Sequence, residues 1–353
     1  MAWSVVCLPK SEGGLGLRRF TEWNVTLSLK LIWLLFSNSN SLWVAWHRHY
    51  WFIKKRLQDT WNWKCLIRLR PLAERFIKCY LGNGLNASFW RDNWSPFGPL
   101  IKFLGEEGPR RLRIPVVSSV SKAIVENSWI LPSPRSDVEL QLHTYLSTIA
   151  LPLQTDSADS YGWVVQNVDC NGFSSSKTWE VLRRREDKKD WAPLIWFKGA
   201  TPRNSFHMWI SNLDRLPTRA RLVSWGLQIS PLCCLCSQSV ETRDHLILTC
   251  GFSSSIWNMV QARLRLQPVQ FRVWESLLSW IKLSTASSPS IIRKLVAQAT
   301  VCAIWKQRNN LLHNLQDILP SIIFKNIDRE IINSINARCH RRKFRSLMRL
   351  WIR

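Results

Sequence analysis

Cys233-Cys234-Leu235-Cys236-Ser237-Gln238-Ser239-Val240-Glu241-Thr242-Arg243-Asp244-His245-Leu246-Ile247-Leu248-Thr249-Cys250 contains C-x2-C followed by H-x4-C. Two thiolates three positions apart on a tight turn reach one tetrahedral ion, and a polar loop returns the chain with two further ligands. The pattern predicts a Zn²⁺ site built from Cys233, Cys236, His245 and Cys250. Four protein ligands leave no open position for water, so such a site is structural and not hydrolytic. Cys234 is the spare thiol, because pairing it with Cys236 leaves a single residue between ligands. The competing readings are a cluster of core cysteines beside a satisfied histidine, and a redox pair. The redox pair lacks the preceding strand and following long helix that a thioredoxin-like motif carries.

Outward from this stretch, the chain has 353 residues, 46% hydrophobic, with 22 Trp, enough for two or three folded domains. Its formal net charge of +25 favours a polyanionic partner, nucleic acid or an acidic surface, over a neutral one. The N-terminus has no secretory pattern, and the longest apolar run, Leu27 to Phe36, is interrupted by Lys30 and too short for a bilayer span. An intracellular chain without a membrane partner is therefore expected. The remaining cysteines, Cys7, Cys65, Cys79, Cys170, Cys302 and Cys339, are scattered and read as free thiols in a reducing compartment.

The expected fold is mainly α with small β elements: a helical N-terminal segment with a short hairpin over residues 1–105, a loop-rich Pro-containing connector over 106–160, a small zinc-binding module over 161–260, and C-terminal helices with a basic tail over 261–353. Leu27, Leu31, Leu34 and Leu35 follow helical spacing behind the Gly-rich turn at Gly13-Gly14. Asn83-Gly84 before Phe89-Trp90 signals a hairpin within 81–94, and Val117 to Glu126 a helix. Trp163-Val164-Val165 reads as a strand, followed by a turn at Asn171-Gly172 and a helix over Lys177 to Arg185. Helical spacing runs from Trp191 to a C-cap at Gly226, and again over Ser255 to Leu283 and Ile291 to His313.

Four segments together resemble the C-terminal part of plant non-LTR (LINE-type) retrotransposon reverse transcriptases. They are Trp3 to Lys10 running into Glu12-Gly13-Gly14-Leu15-Gly16-Leu17; Gly82-Asn83-Gly84 with Phe89-Trp90-Arg91-Asp92-Asn93-Trp94; Trp196 to Cys250, including Trp209, Leu216-Pro217-Thr218 and the cysteine-histidine set; and Ile304-Trp305-Lys306-Gln307-Arg308-Asn309. The third resembles the reverse transcriptase zinc-binding domain of that family. The resemblance implies a role in recognising element RNA or target DNA, with a reverse transcriptase or a host protein as a further partner, and a nuclear location. The polymerase chemistry of the family needs paired aspartates holding two Mg²⁺ ions. No Asp-Asp pair occurs in this chain, no catalytic residue is assigned, and the fingers and palm are expected upstream of Met1. Asp92, between Trp90 and Trp94, reads as a turn cap.

The leading expectation is a non-catalytic, zinc-stabilised nucleic-acid-binding remnant, with RNA or single-stranded DNA as partner. Its candidate phosphate contacts are Arg215, Arg219, Arg221 and Arg243 near the zinc ligands and Arg341, Arg342, Lys343 and Arg345 in the tail. The eight residues between Cys236 and His245 exceed the four of a retroviral knuckle, so that base-reading geometry does not carry over. The alternative is a zinc-held structural or protein-interaction module with no nucleic-acid role. An active enzyme is the third reading.

Overall fold

In the computed structural model, which describes residues 2–37, 41–51, 59–152 and 157–352, the chain is mainly helical with a few short strands. Contacts divide it into two units, residues 1–17 with 185–353, and residues 18–184. This partition runs across the segments drawn from sequence.

The unit of residues 1–17 and 185–353 is organised around the helix Ser290–Asn314. Its buried residues lie on nearly every side, among them Ile292, Val296, Ala299 and Ile304, which are fully inaccessible. A helix apolar all round belongs at the centre of a bundle, and this one packs against Pro202–Asn212, Pro320–Asn336 and Trp274–Lys282. Two of its buried polar side chains, Gln298 and Arg293, hydrogen-bond to neighbouring segments. Gln298 donates through Nε2 to the carbonyls of Leu194 and Ile195 (3.3 and 2.9 Å) and accepts from Ser205 Oγ at 3.1 Å. Arg293 donates to the carbonyls of Ser288 and Trp280. The first seventeen residues close on the same core. Trp209 Nε1 donates to the Gly13 carbonyl at 2.8 Å, and a Cβ on Gly14 would stand 2.0 Å from the Leu8 carbonyl oxygen. A residue with a side chain does not fit at Gly14.

In the unit of residues 18–184, Ser160–Val165 is the central strand of a three-stranded antiparallel sheet. It pairs with Ile77–Tyr80, with Ile77 opposite Trp163, and turns through Gln166 and Asn167 into Val168–Asp169. Both turn residues have positive φ, as a two-residue hairpin demands. Trp163 is fully buried, stacks on Phe76 (centroids 5.1 Å), meets Trp33 edge-on and donates from Nε1 to Thr178 Oγ1 at 2.9 Å. A second cluster gathers Phe89, Trp90 and Trp94 with Leu100, Leu142 and Leu146.

Several expectations are met: the strand at Trp163, a helix at Ser175–Leu182, the C-terminal helix at Ser290–Asn314, and Gly226 in the left-handed conformation behind the helix Arg219–Ser224. Others need correction. The hairpin expected within 81–94 is not formed. Residues 82–87 instead wrap the carboxylate of Asp159, which accepts from the N–H groups of Gly82, Gly84, Asn86 and Ala87 at 2.8–2.9 Å. The turn is present, with Gly84 at φ +70°, but a distant carboxylate takes the N–H groups that a ladder would need. Val120–Ala123 is a single 3₁₀ turn leading into a strand, shorter than the helix expected there. The single helix expected over Ser255 to Leu283 is two, Gly251–Arg263 and Trp274–Lys282. Arg265 at φ 56° ends the first, and Pro268 follows. Asp92 caps its turn as expected, accepting from Ser88 N–H at 2.7 Å.

Candidate metal centre

The C-x2-C arm is a tight loop. Cys233 N–H donates to Ser239 O, Ser237 N–H donates to Cys233 O at 2.7 Å, and Leu232 bridges Val240. Ser237 holds φ 54°, a left-handed turn that directs the chain away from the C-x2-C loop towards Ser239 and Val240. The H-x4-C arm is a five-residue π-helical segment, His245–Thr249. Five steps of an α-helix would leave His245 and Cys250 about 140° apart around the axis at 3.6 residues per turn. The wider turn reduces that angle, and it closes with Cys250 N–H donating to His245 O at 2.7 Å. Carbonyls of this wide turn find side-chain donors: Ser253 Oγ to Leu246 O at 2.6 Å and Trp257 Nε1 to Ile247 O at 2.8 Å.

The two arms bring one ligand atom each from Cys233, Cys236, His245 and Cys250 to within 4.8 Å of one another. Cys233 and Cys250 sulfurs are 4.0 Å apart, and Cys236 Sγ lies 3.3 Å from His245 Nε2. Around a tetrahedral Zn²⁺ with bonds of about 2.3 Å to sulfur and 2.0 Å to nitrogen, those separations would be about 3.8 and 3.5 Å. The donor set fits the ion. Backbone N–H groups of Leu235 and Cys236 point at Cys233 sulfur, and that of Phe252 at Cys250 sulfur, each favouring the thiolate that a metal requires. Cys233 donates to Cys250, which draws the Cys250 thiol below its ordinary range and pushes Cys233 above it, with burial adding to the rise. Burial also lowers His245, against the raising effect of Glu241, and so favours the neutral imidazole that ligates. His245 Nδ1 lies 3.4 Å from Thr249 Oγ1, leaving Nε2 free to face the thiols.

Cys234 stands outside the set. Its sulfur faces the Arg308 carbonyl at 3.9 Å, and burial with the nearby Glu241 charge pushes its thiol up to about 12.

A buried ion pair supports the loop from behind. Glu241 Oε1 accepts from Arg308 Nε and Nη2 at 3.1 and 2.8 Å and from the Arg219 N–H at 2.9 Å, while Oε2 accepts from Cys234 N–H at 3.3 Å. Arg308 also donates to Pro217 O at 3.3 Å. Two of the sequence segments singled out above, Trp196 to Cys250 through Pro217 and the cysteine-histidine loop, and Ile304 to Asn309 through Arg308, thus meet at one pair of charges. Sequence reasoning missed both residues as a pair, because 67 positions separate them and neither stands in a periodic pattern.

The basic residues near the metal ligands divide. Arg219 Nη1 donates to Leu232 O at 3.0 Å, Arg221 pairs with Asp214 at 3.2 Å, and Arg243 pairs with Asp244 at 2.6 Å while lying over the Trp274 ring. These three hold the protein together. Arg215 is exposed, as are Arg342, Lys343 and Arg345 in the tail, with Arg341 half-buried.

Residues 173–257, which include all four converging side chains, match the protein family described as zinc-binding in reverse transcriptase. A protein of Arabidopsis thaliana named "Putative ribonuclease H protein" is 26% identical over 298 residues, 79% of this chain and 46% of that one. The chain spans less than half the length of this curated relative. No solved structure matches. No helix among the described residues is long and apolar enough to cross a membrane, and the ten cysteines are all unbridged.

Proposed function

We propose that this chain, which carries a reverse transcriptase zinc-binding segment at residues 173–257, is a zinc-stabilised module that binds nucleic acid in the nucleus and performs no chemistry of its own. The observation that carries this reading is the closed Cys₃His set: four protein donors converge and two of them, Cys233 and Cys250, are wholly buried. A bound Zn²⁺ would cross-link the loop and the π turn. The residues themselves do the rest, with Thr249 orienting the imidazole and the Glu241–Arg308 pair fixing the loop against the helix Ser290–Asn314. The net charge of +25 makes a polyanion the matching partner.

Two measurements test it. Metal analysis of the purified chain is expected to give one Zn²⁺ per chain, with Cys236→Ser and His245→Ala each losing the ion and the fold around it. Mobility-shift titration with single-stranded RNA across a salt series is expected to give a log affinity that falls linearly with log salt. Absence of binding at low salt would reject the nucleic-acid role and leave a structural module that docks protein.

A further inference from the structure

Away from the metal ligands, in the same unit, the basic tail closes over a cavity of about 530 Å³. Lys198, Lys294, Arg341, Arg342 and Lys343 line it, and no acidic residue does. Among the described residues none of the five takes part in an ion pair. Its apolar wall is Phe197, Ile291 and Phe344.

The cavity is built by the fold and is not a chance gap beside a loose terminus. Phe344 is buried, and it reaches Gly199 so closely that a Cβ there would stand 2.4 Å from the ring. Gly199 sits at φ +106°, a conformation that favours glycine, so the turn before the helix Pro202–Asn212 is shaped to receive this ring. The wedge fixes Arg341, Arg342 and Lys343 opposite Lys294. Lys294 donates to Pro193 O at 3.1 Å and its ammonium lies 5.6 Å from the Phe197 ring. Burial first, and then the charge of Lys343, lower the Lys294 ammonium below its ordinary range. Ser290 and Ile291, the first residues of the 25-residue helix Ser290–Asn314, complete the rim and add that helix's positive end.

Unopposed cations around an apolar wall match a ligand that carries phosphates on one side and a flat apolar face on the other. We propose that this cavity receives an unstacked nucleotide of a single-stranded nucleic acid, its phosphates on Arg341, Arg342, Lys343, Lys294 and Lys198 and its base against Phe197, Ile291 and Phe344. The proposal rests on the nucleic-acid reading above and deepens it, placing the strand at the tail cavity. A duplex, whose bases stay stacked, meets only the charged rim.

The experiment uses the full chain with zinc bound, a fluorescein-labelled twelve-nucleotide oligouridylate, and an RNA duplex of equal length. Wild type is expected to bind the single strand at least tenfold more tightly than the duplex. Arg342→Glu with Lys343→Glu, both exposed positions, is expected to weaken single-strand binding at least tenfold and to flatten the slope of log affinity against log salt by about 1.4, two phosphate contacts at about 0.7 each. Lys198→Glu is expected to weaken it on its own, and Arg272→Glu, an exposed position outside the cavity lining, to change it less than threefold. If wild type binds but the tail and Lys198 variants keep wild-type affinity and slope, the cavity assignment falls while the nucleic-acid role stands. Equal affinity of wild type for strand and duplex overturns the base-receiving wall. No binding by wild type at low salt rejects the role and the cavity together. Zinc content and circular dichroism of each variant confirm that only the surface has changed.

Discussion

Arg308 is 4% exposed in its side chain and Glu241 0%, so neither charge has water to fall back on. Arg308→Met is expected to cost about 3–5 kcal/mol by chemical denaturation, because it leaves a buried carboxylate without its partner. Replacing both, Arg308→Met with Glu241→Leu, is expected to cost less than that single change, since the pair's removal leaves no orphaned charge. A double substitution that costs as much as the sum of the two singles would show that the residues do not act as a pair. The metal ligands and this pair differ in how far they could be read from sequence. Cys233, Cys236, His245 and Cys250 were legible because tetrahedral coordination imposes short spacings within one stretch of chain. Glu241 and Arg308 were not, because their meeting depends on how the helix Ser290–Asn314 lies against the loop. The phosphate candidates were legible only as charge: sequence could not separate Arg221 and Arg243, held by Asp214 and Asp244, from exposed Arg215.

Elements follow the same division between local and distant causes. The helix Ser290–Asn314 was visible in its long apolar pattern, whereas Pro320–Asn336 went unread although Ile323, Ile327, Ile331 and Ile335 recur every fourth residue and are all buried. The loop at 82–87 is the opposite case: Asn83-Gly84 is a sound turn signal, but the outcome is decided by a carboxylate more than seventy positions away. Asp159→Asn keeps the shape and removes the charge and one acceptor oxygen. It is expected to lower the stability of the 18–184 unit by about 2 kcal/mol in a urea melt, given the strength of hydrogen bonds to a charged acceptor. Gly14→Ala drives a methyl group into the Leu8 carbonyl and is expected to cost about 1–3 kcal/mol, read as a lower melting temperature of the unit that carries the Cys₃His set.

Across the whole molecule, the buried clusters divide as the contacts do: one lies wholly within residues 1–17 and 185–353, and two within 18–184. Two thermal transitions are therefore expected, of which a chelator lowers only one. A single transition shifted as a whole would show that the units unfold together. Protons act on the same unit through His207, which burial, and then the Arg203 charge, hold below the ordinary histidine range. The unfolded chain takes up this proton first as pH falls, so the stability contributed by neutral His207 is complete above about pH 6.5 and declines below it. Wild type minus His207→Gln, compared by denaturation between pH 7.5 and 5.5, is expected to show that decline. The hydrogen bond from Trp209 to Gly13 spans 196 positions, and a chain made from its amino end adds about 5–20 residues per second. The turn at Gly13-Gly14 is therefore synthesised roughly 10–40 s before the indole that will hold it. Residues 18–184, which hold their own buried clusters, are all made within that interval, so their unit can fold before the unit that carries the Cys₃His set is completed.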